Sequence, residues 1–322
     1  MCGEGRISTN TNNQTKIKEF VLLGIEGPQT LKLSLFFVFL ILYIMTTCGN
    51  LVIIVLYLQT QPLRSPLYFF LSNLALSDIL LATSVVPNLL CTLSSGRETI
   101  MSTSGCIIQV LASGSSTAAE SNLLTVMSYD RYLAVCNPLH YNRVMTPRRC
   151  SFLVSLCWFL SLLYTFIAIM EILDLEFCGC NVINYTYCDI IPLLDISCKN
   201  SQILEISTTV ISFPAVVFPF CFTILSYINI SLAVFRISSN TGRKKAFSTC
   251  SSHLGVVCTY FGVLIAKYTV SSKGRSVTIN KAISMVYTVV TPLLNPIIYS
   301  FRNQEIKGAV TKWICVNLNL YT

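Results

Sequence analysis

Seven stretches of this chain are almost free of charge, and each is long enough to cross a bilayer. Nothing between Lys32 and Arg64 is charged, only Asp78 interrupts Arg64 to Arg97, and only Glu120 interrupts Glu98 to Asp130. Arg149 to Glu171, Glu205 to Arg236 and Lys281 to Arg302 carry no charge, and Lys245 to Lys267 holds His253 alone among acids and bases. A helix needs roughly 20 apolar residues to span the hydrocarbon core. Without water, each backbone group must be satisfied inside its own segment, which favours helices. The roughly ten-residue alternating segments of a strand barrel are absent. The spacing therefore predicts an all-α membrane protein, a seven-transmembrane helix bundle with spans at about 33–58, 67–92, 106–131, 150–170, 206–235, 246–266 and 282–301.

Composition points the same way. The 322 residues are 53% hydrophobic and 11% charged, against about 25% charged in a soluble domain. Soluble enzymes, nucleic-acid binders and disordered chains are poor readings of such a chain. Three regions follow: an extracellular tail (1–32), the bundle (33–301) with a long extracellular loop at 171–205, and a cytoplasmic tail (302–322). Residues 1–31 hold no long apolar run, so the first span is expected to serve as the insertion signal.

Two signals orient the bundle. The N-terminus and the connections after the second, fourth and sixth spans carry ten Lys and Arg and ten acids. The opposite side carries twelve Lys and Arg and two acids, Asp130 and Glu305. The first side is neutral and the second is +10; Asp78 and Glu120 in the membrane return the total to +8. Counting Lys and Arg by the positive-inside rule favours the second side as cytoplasmic by a small margin. Asn13-Gln14-Thr15 and Asn184-Tyr185-Thr186 are N-glycosylation triplets on the first side. The N-terminus is expected outside, with Asn13 the candidate glycosylation site.

The chain has fifteen cysteines. Cys48, Cys91, Cys157, Cys221, Cys250 and Cys258 lie within spans and read as small packing residues. Cys106 starts the third span, and Cys178, Cys180, Cys188 and Cys198 crowd the 171–205 loop. Disulfides are expected on an extracellular face, although spacing alone does not fix their pairing. Zinc is the weaker reading, since Cys178-x-Cys180 suits a structural zinc poorly and no histidine lies nearby.

Asp78 and Glu120 are the only carboxylates deep within spans, and intramembrane acids are functional candidates by default. Glu120 lies eleven residues before Arg131, about 16 Å along a helix, at a depth similar to that of Asp78. Two such carboxylates do not both ionise unpaired. Either one is protonated or a cation sits between them. Asp130-Arg131, at the inner end of the third span, reads on its own as a charge pair snorkelling to the interface. Pro296 and Pro219 interrupt helical hydrogen bonding in the seventh and fifth spans.

Specific strings sit at the inner ends of the spans. They are Gly49-Asn50; Pro66-Leu67-Tyr68-Phe69-Phe70-Leu71-Ser72-Asn73-Leu74-Ala75 before Asp78; and Met127-Ser128-Tyr129-Asp130-Arg131-Tyr132-Leu133-Ala134-Val135-Cys136-Asn137-Pro138-Leu139-His140-Tyr141. Ser226-Tyr227, Lys245-Ala246-Phe247-Ser248-Thr249-Cys250-Ser251-Ser252-His253-Leu254 and Pro292-Leu293-Leu294-Asn295-Pro296-Ile297-Ile298-Tyr299-Ser300-Phe301-Arg302-Asn303 follow. In this order they resemble a rhodopsin-class (class A) G-protein-coupled receptor, and within that class an odorant (olfactory) receptor, from about Phe20 to Lys312.

The resemblance implies an activation switch in which Arg131 pairs with Asp130 at rest and turns to a G protein when the sixth span swings out. Tyr132, Tyr227, Asn295, Pro296 and Tyr299 complete that switch. It implies a candidate sodium site at Asp78, Glu120, Asn50 and Asn295, with no other cofactor, and disulfides Cys106–Cys188 and Cys178–Cys198, leaving Cys180 over. It also implies a small-molecule odorant, a stimulatory (olfactory-type) heterotrimeric G protein that raises cyclic AMP, and residence in the plasma membrane of olfactory cilia. Membrane lipids are the remaining partners; nucleic acid and enzymatic activity are not expected. Tyr260-Phe261-Gly262 stands where the family commonly has Phe-Tyr-Gly, which removes a hydroxyl at the expected pocket floor.

If Arg131 faces the bundle axis, helical arithmetic selects Thr117 and Ser113, bordered by Ser121 and Gly114, on the same stripe. Phe261, Leu264, Ile265 and Tyr268 repeat along the sixth span, and Thr208, Ile211, Ser212 and Ala215 along the fifth. These positions match where odorant receptors line their cavity; each equally suits helix–helix packing. The expected lining is apolar with a few hydroxyls and no free charge, suited to a small, neutral, largely hydrophobic volatile. After the seventh span, Ile306, Val310 and Trp313 beside Lys307 and Lys312 read as a short amphipathic helix, with Cys315 a candidate for palmitoylation. Arg143, Arg148, Arg149, Arg236, Arg243, Lys244 and Lys245 make the inner loops basic, as topology requires and as docking of a G protein would use. A transporter or channel is the alternative, but it predicts internal repeats or a row of pore charges that the sequence lacks.

Overall fold

In the computed structural model, residues 18–175, 177, 181–197, 210, 213–236, 239–270, 277–302 and 306–311 are described. Helical spans run over Gln29–Gln59, Pro66–Ser95, Thr103–Cys136, Pro147–Leu173, Phe213–Phe235 and Asn240–Val270. A seventh is built from Val277–Met285, Val286–Val290 and Thr291–Arg302. Most run past the charge boundaries read from the sequence. The third continues to Cys136, so Asp130 and Arg131 lie well inside the helix rather than at its tip.

Local chemistry sets the ends. Pro66 and Pro147 open the second and fourth spans, where a missing N–H removes no helical bond. The Ser102 hydroxyl accepts the Gly105 N–H at 3.1 Å to cap the third span, satisfying an otherwise orphaned donor. The fifth and seventh spans each contain a wide π turn, Phe213–Val217 and Val286–Val290; such turns gather at functional sites.

The bundle is built for lipid. The first span buries Thr46 and Asn50 inward and turns Phe37, Ile41 and Ile44 outward. Among the described residues, the first, second, fourth, fifth and seventh spans are long and apolar enough to cross a membrane by themselves. The third is more polar because little of it meets lipid. It packs against the second, fourth and fifth spans and buries Ser113, Ser116, Glu120, Ser121, Ser128 and Asp130. Gly49 lets the first span approach the seventh, since a Cβ there would sit 3.2 Å from Pro296 Cγ.

One end of the bundle carries a cap that hydropathy does not reveal. Strand β1 (Glu19–Leu22) pairs antiparallel with β2 (Thr99–Ser102), and parallel with β3 (Val182–Ile183). The N-terminal segment is thereby stitched to the long loop. Two short helices, Pro138–Val144 and Ile190–Asp195, also lie in connections. The Lys281 ammonium donates to the Gly24 carbonyl at 2.8 Å and to Asn184 Oδ1 at 2.6 Å. Lys281 is thus a structural cation rather than a loop charge that sets topology, and cations of this kind even out the Lys and Arg count.

Residues 306–311 include a helical segment after the seventh span, with Ile306 buried beside Ile53, Leu56, Tyr57, Leu63 and Tyr68. Asn13, Cys178, Cys180, Cys198, Thr208, Ile211, Ser212, Trp313, Lys312, Cys315 and the Tyr268 side chain lie outside the described residues.

Candidate functional site

A cavity of about 100 Å³ opens between the third to seventh spans at the capped end. Ser113, Gly114, Thr117 and Ala215 line it, the last on the π turn of the fifth span. Ser121, Phe261 and Leu264 are buried elsewhere in the core, with Phe261 packed 5.3 Å from the Phe220 ring. Ile265 must be corrected. It is 42% exposed and faces outward. The buried stripe of the sixth span runs Val257, Tyr260, Phe261, Leu264 and reaches the cavity at Lys267, because the step after Leu264 is three residues and not one.

The wall also holds residues that sequence reasoning did not select: Tyr164, Thr165 and Ala168 of the fourth span, Tyr187 and Asp189 of the loop, and Tyr287 and Thr288 on the seventh-span π turn. A spacing signal existed for the fourth span, where the Thr165 hydroxyl donates to the Ser161 carbonyl one turn below at 2.9 Å. The loop residues carried none. They are brought over the cavity by a disulfide between Cys106 and Cys188 and by Gln109 Oε1, which accepts the Cys188 N–H at 2.9 Å. The lining also holds a paired charge that the sequence pattern does not show, since Lys267 Nζ lies 2.7 Å from Asp189 Oδ2 at the wall. Burial pushes the Tyr187 phenol above its ordinary range, so it stands beside this pair as a neutral hydroxyl. The transposed aromatic pair puts its hydroxyl on Tyr260 rather than on residue 261. The Tyr260 hydroxyl, buried outside the lining, donates to the carbonyl of the lining residue Thr117 at 2.8 Å.

Below the cavity, Asn295 Nδ2 lies 3.0 Å from both Asp78 oxygens and 3.1 Å from Glu120 Oε1. The two acids therefore share one donor in a fully buried layer, as the sequence depth arithmetic anticipated. Asn50, the further residue expected at the cation site, uses its amide nitrogen elsewhere. Its Nδ2 donates to the Pro292 and Thr46 carbonyls, each at 3.0 Å. Pro296 has no N–H for the carbonyl four residues earlier, and that carbonyl belongs to Pro292. Asn50 thus mends the helix break. Its Oδ1, with Ser116 Oγ, is buried without a hydrogen-bond partner among the described residues.

At the uncapped end, Arg131 Nε donates to Asp130 Oδ2 at 2.9 Å, and an Nη contact completes the fork. Tyr141, on the short Pro138–Val144 helix, donates to Asp130 Oδ1 at 2.7 Å. Burial, then the adjacent Asp130 carboxylate, holds the Tyr141 phenol above its usual range and keeps it a donor. Tyr132 stacks 6.5 Å from Tyr129. Tyr227 bonds His253 Nδ1 at 2.5 Å. The buried Tyr299 hydroxyl has no partner among the described residues. Asp130, Arg131 and Tyr141 form one unit, while Tyr227 and Tyr299 stand apart from it.

This geometry is that of a seven-helix receptor. The fold matches a crystal structure of squid rhodopsin with a TM-score of 0.73 at 18% identity, over 90% of this chain and 88% of that one. A sequence profile of the olfactory receptor family matches residues 39–317. Relatives include Olfactory receptor 11A1 of Homo sapiens, 40% identical over 95% of this chain and 96% of that protein. Olfactory receptor 1M1 of Mus musculus is 40% identical over 94% and 96%. The chain belongs to the olfactory receptor family: a multi-pass membrane receptor of the G-protein-coupled class, and not an enzyme.

Proposed function

We propose that this receptor takes small, neutral, largely hydrophobic volatiles into the cavity between its third to seventh spans and activates a stimulatory, olfactory-type G protein, raising cyclic AMP. It acts at the plasma membrane, in the cilia of olfactory sensory neurons, with the N-terminus and its glycan at Asn13 outside. The observation that carries this reading is the placement of Ser113, Thr117 and Tyr287 on one cavity wall with Tyr260 tied to the Thr117 carbonyl. A ligand touching that wall pushes on the third and sixth spans together. Below it, Asp130 and Tyr141 hold Arg131 at rest, and outward movement of the sixth span releases it.

Asp78, Glu120 and Asn295 form the layer between cavity and switch. The donor set fits sodium, a hard cation that takes oxygen ligands, with the orphaned Asn50 Oδ1 and Ser116 Oγ available to complete it. A cation there neutralises two carboxylates that otherwise need a proton.

Cells expressing the chain with the olfactory stimulatory G protein test the reading. A dose-dependent rise in cyclic AMP with small neutral volatiles, lost in Arg131→Ala at matched surface expression, is the expected result. A response that survives Arg131→Ala overturns the coupling.

A further inference from the structure

Among the described residues, the cavity has one charged corner. Lys267, last on the inward stripe of the sixth span, lies 2.7 Å from Asp189 Oδ2 and 3.5 Å from the Tyr187 hydroxyl. Its ammonium also sits over the Tyr287 and Tyr187 rings, 5.1 and 6.0 Å from their centroids. Asp189 is fixed from the other side, because its Oδ1 accepts the Ile190 N–H at 2.9 Å as the cap of Ile190–Asp195. Lys267 and Asp189 are the only charged side chains among the described residues lining the cavity, and their side chains are only 13% and 18% exposed. Holding the loop does not require them. The Cys106–Cys188 disulfide and the Gln109 bond already anchor the adjacent residue.

We infer that Lys267, positioned by Asp189, is the head-group contact of this cavity, and that its preferred ligands are neutral molecules carrying a carbonyl oxygen on an apolar body. This rests on the odorant reading of the same cavity. Charge selects the class. Lys267 and Asp189 cancel, so an ionic ligand loses its hydration and meets no net opposite charge. A carboxylate places a second anion beside Asp189, and an amine places a second cation beside Lys267. A carbonyl oxygen instead accepts from a charged donor, a bond stronger than one between neutral groups, and leaves the pair intact. A hydrocarbon forfeits that bond. The apolar body then lies along Ala215 and Val216, past the hydroxyls of Ser113 and Thr117.

The test is binding rather than signalling. Full-length receptor in nanodiscs is titrated with octanal, methyl hexyl ketone, octanoate, octylamine and octane, and protection against thermal unfolding is read. Octanal and the ketone are expected to protect at concentrations about tenfold or more below the other three, the worth of one charge-assisted hydrogen bond. In Lys267→Met that preference disappears; in Lys267→Arg it is kept. Carbonyl compounds that bind no better than octane, a preference for octanoate or octylamine, or an undiminished preference in Lys267→Met would each overturn the inference. The readout does not involve a G protein, so carbonyl-selective binding without cyclic AMP refutes the coupling alone. Cyclic AMP signalling without carbonyl selectivity refutes the head-group assignment alone.

Discussion

Asn50→Leu isolates a single bond. Asn50 Nδ2 is the donor that reaches the Pro292 carbonyl, at 3.0 Å, where Pro296 cannot. Its other acceptor, Thr46 O, keeps its own helical N–H. Leucine nearly conserves volume, so the main loss is one buried carbonyl left unsatisfied, about 2 kcal/mol. For a chain of this size that lowers the unfolding temperature by roughly 3 °C. The measurement is dye-monitored unfolding of purified receptor in nanodiscs, in choline buffer so that no sodium contributes. Pro296→Ala gives the control, because it restores an N–H at position 296. In that background Asn50→Leu should cost under about 0.5 kcal/mol, a coupling of about 1.5 kcal/mol. Equal costs in both backgrounds, within the roughly 0.5 kcal/mol expected of independent sites, would refute the assignment of Asn50 to the proline break.

Further consequences are checked separately. Sodium chloride should raise the unfolding temperature relative to choline chloride in the wild-type receptor and not in Glu120→Gln, as read by the same dye assay; equal shifts would exclude a cation at the buried acids. Tyr141→Phe removes the 2.7 Å bond to Asp130, worth about 1 kcal/mol. Basal cyclic AMP should rise up to about fivefold, and because the phenol is held above its usual range, the wild-type basal level should stay flat from neutral to mildly alkaline pH. Asn13→Gln should shift electrophoretic mobility by one glycan, whereas Asn184→Gln should not. Asn184 Oδ1 is bonded to Lys281 at 2.6 Å and Thr186 of its triplet is buried.

Much of the fold was legible because a bilayer imposes a length and a polarity on each span. The seven charge-poor intervals, the buried Asp78 and Glu120, and the run from Asp130 to Tyr141 could be read directly. What was not legible depended on partners far apart in sequence. The pairing of Glu19–Leu22 with Val182–Ile183 crosses some 160 residues and carries no hydropathy signal. Lys267 and Asp189 are unremarkable alone; only the disulfide-anchored loop brings them together. Ile265 was misplaced because helical spacing fixes a stripe only to within a residue at its edge, and the stripe steps from Leu264 to Lys267. The second task of Asn50, donating to the Pro292 carbonyl freed by Pro296, joins residues 242 positions apart and left no trace in the sequence pattern.

A ligand-driven switch is tested most directly by filling the cavity. Ala215 lines it on the fifth-span π turn, and Ala215→Phe places a ring in the empty space. At matched surface expression, basal cyclic AMP should be unchanged while the response to volatile ligands that activate the wild type is lost or shifted by at least about tenfold, the cost of overpacking a site by 1–3 kcal/mol. A wild-type dose response from Ala215→Phe would contradict ligand binding in this cavity.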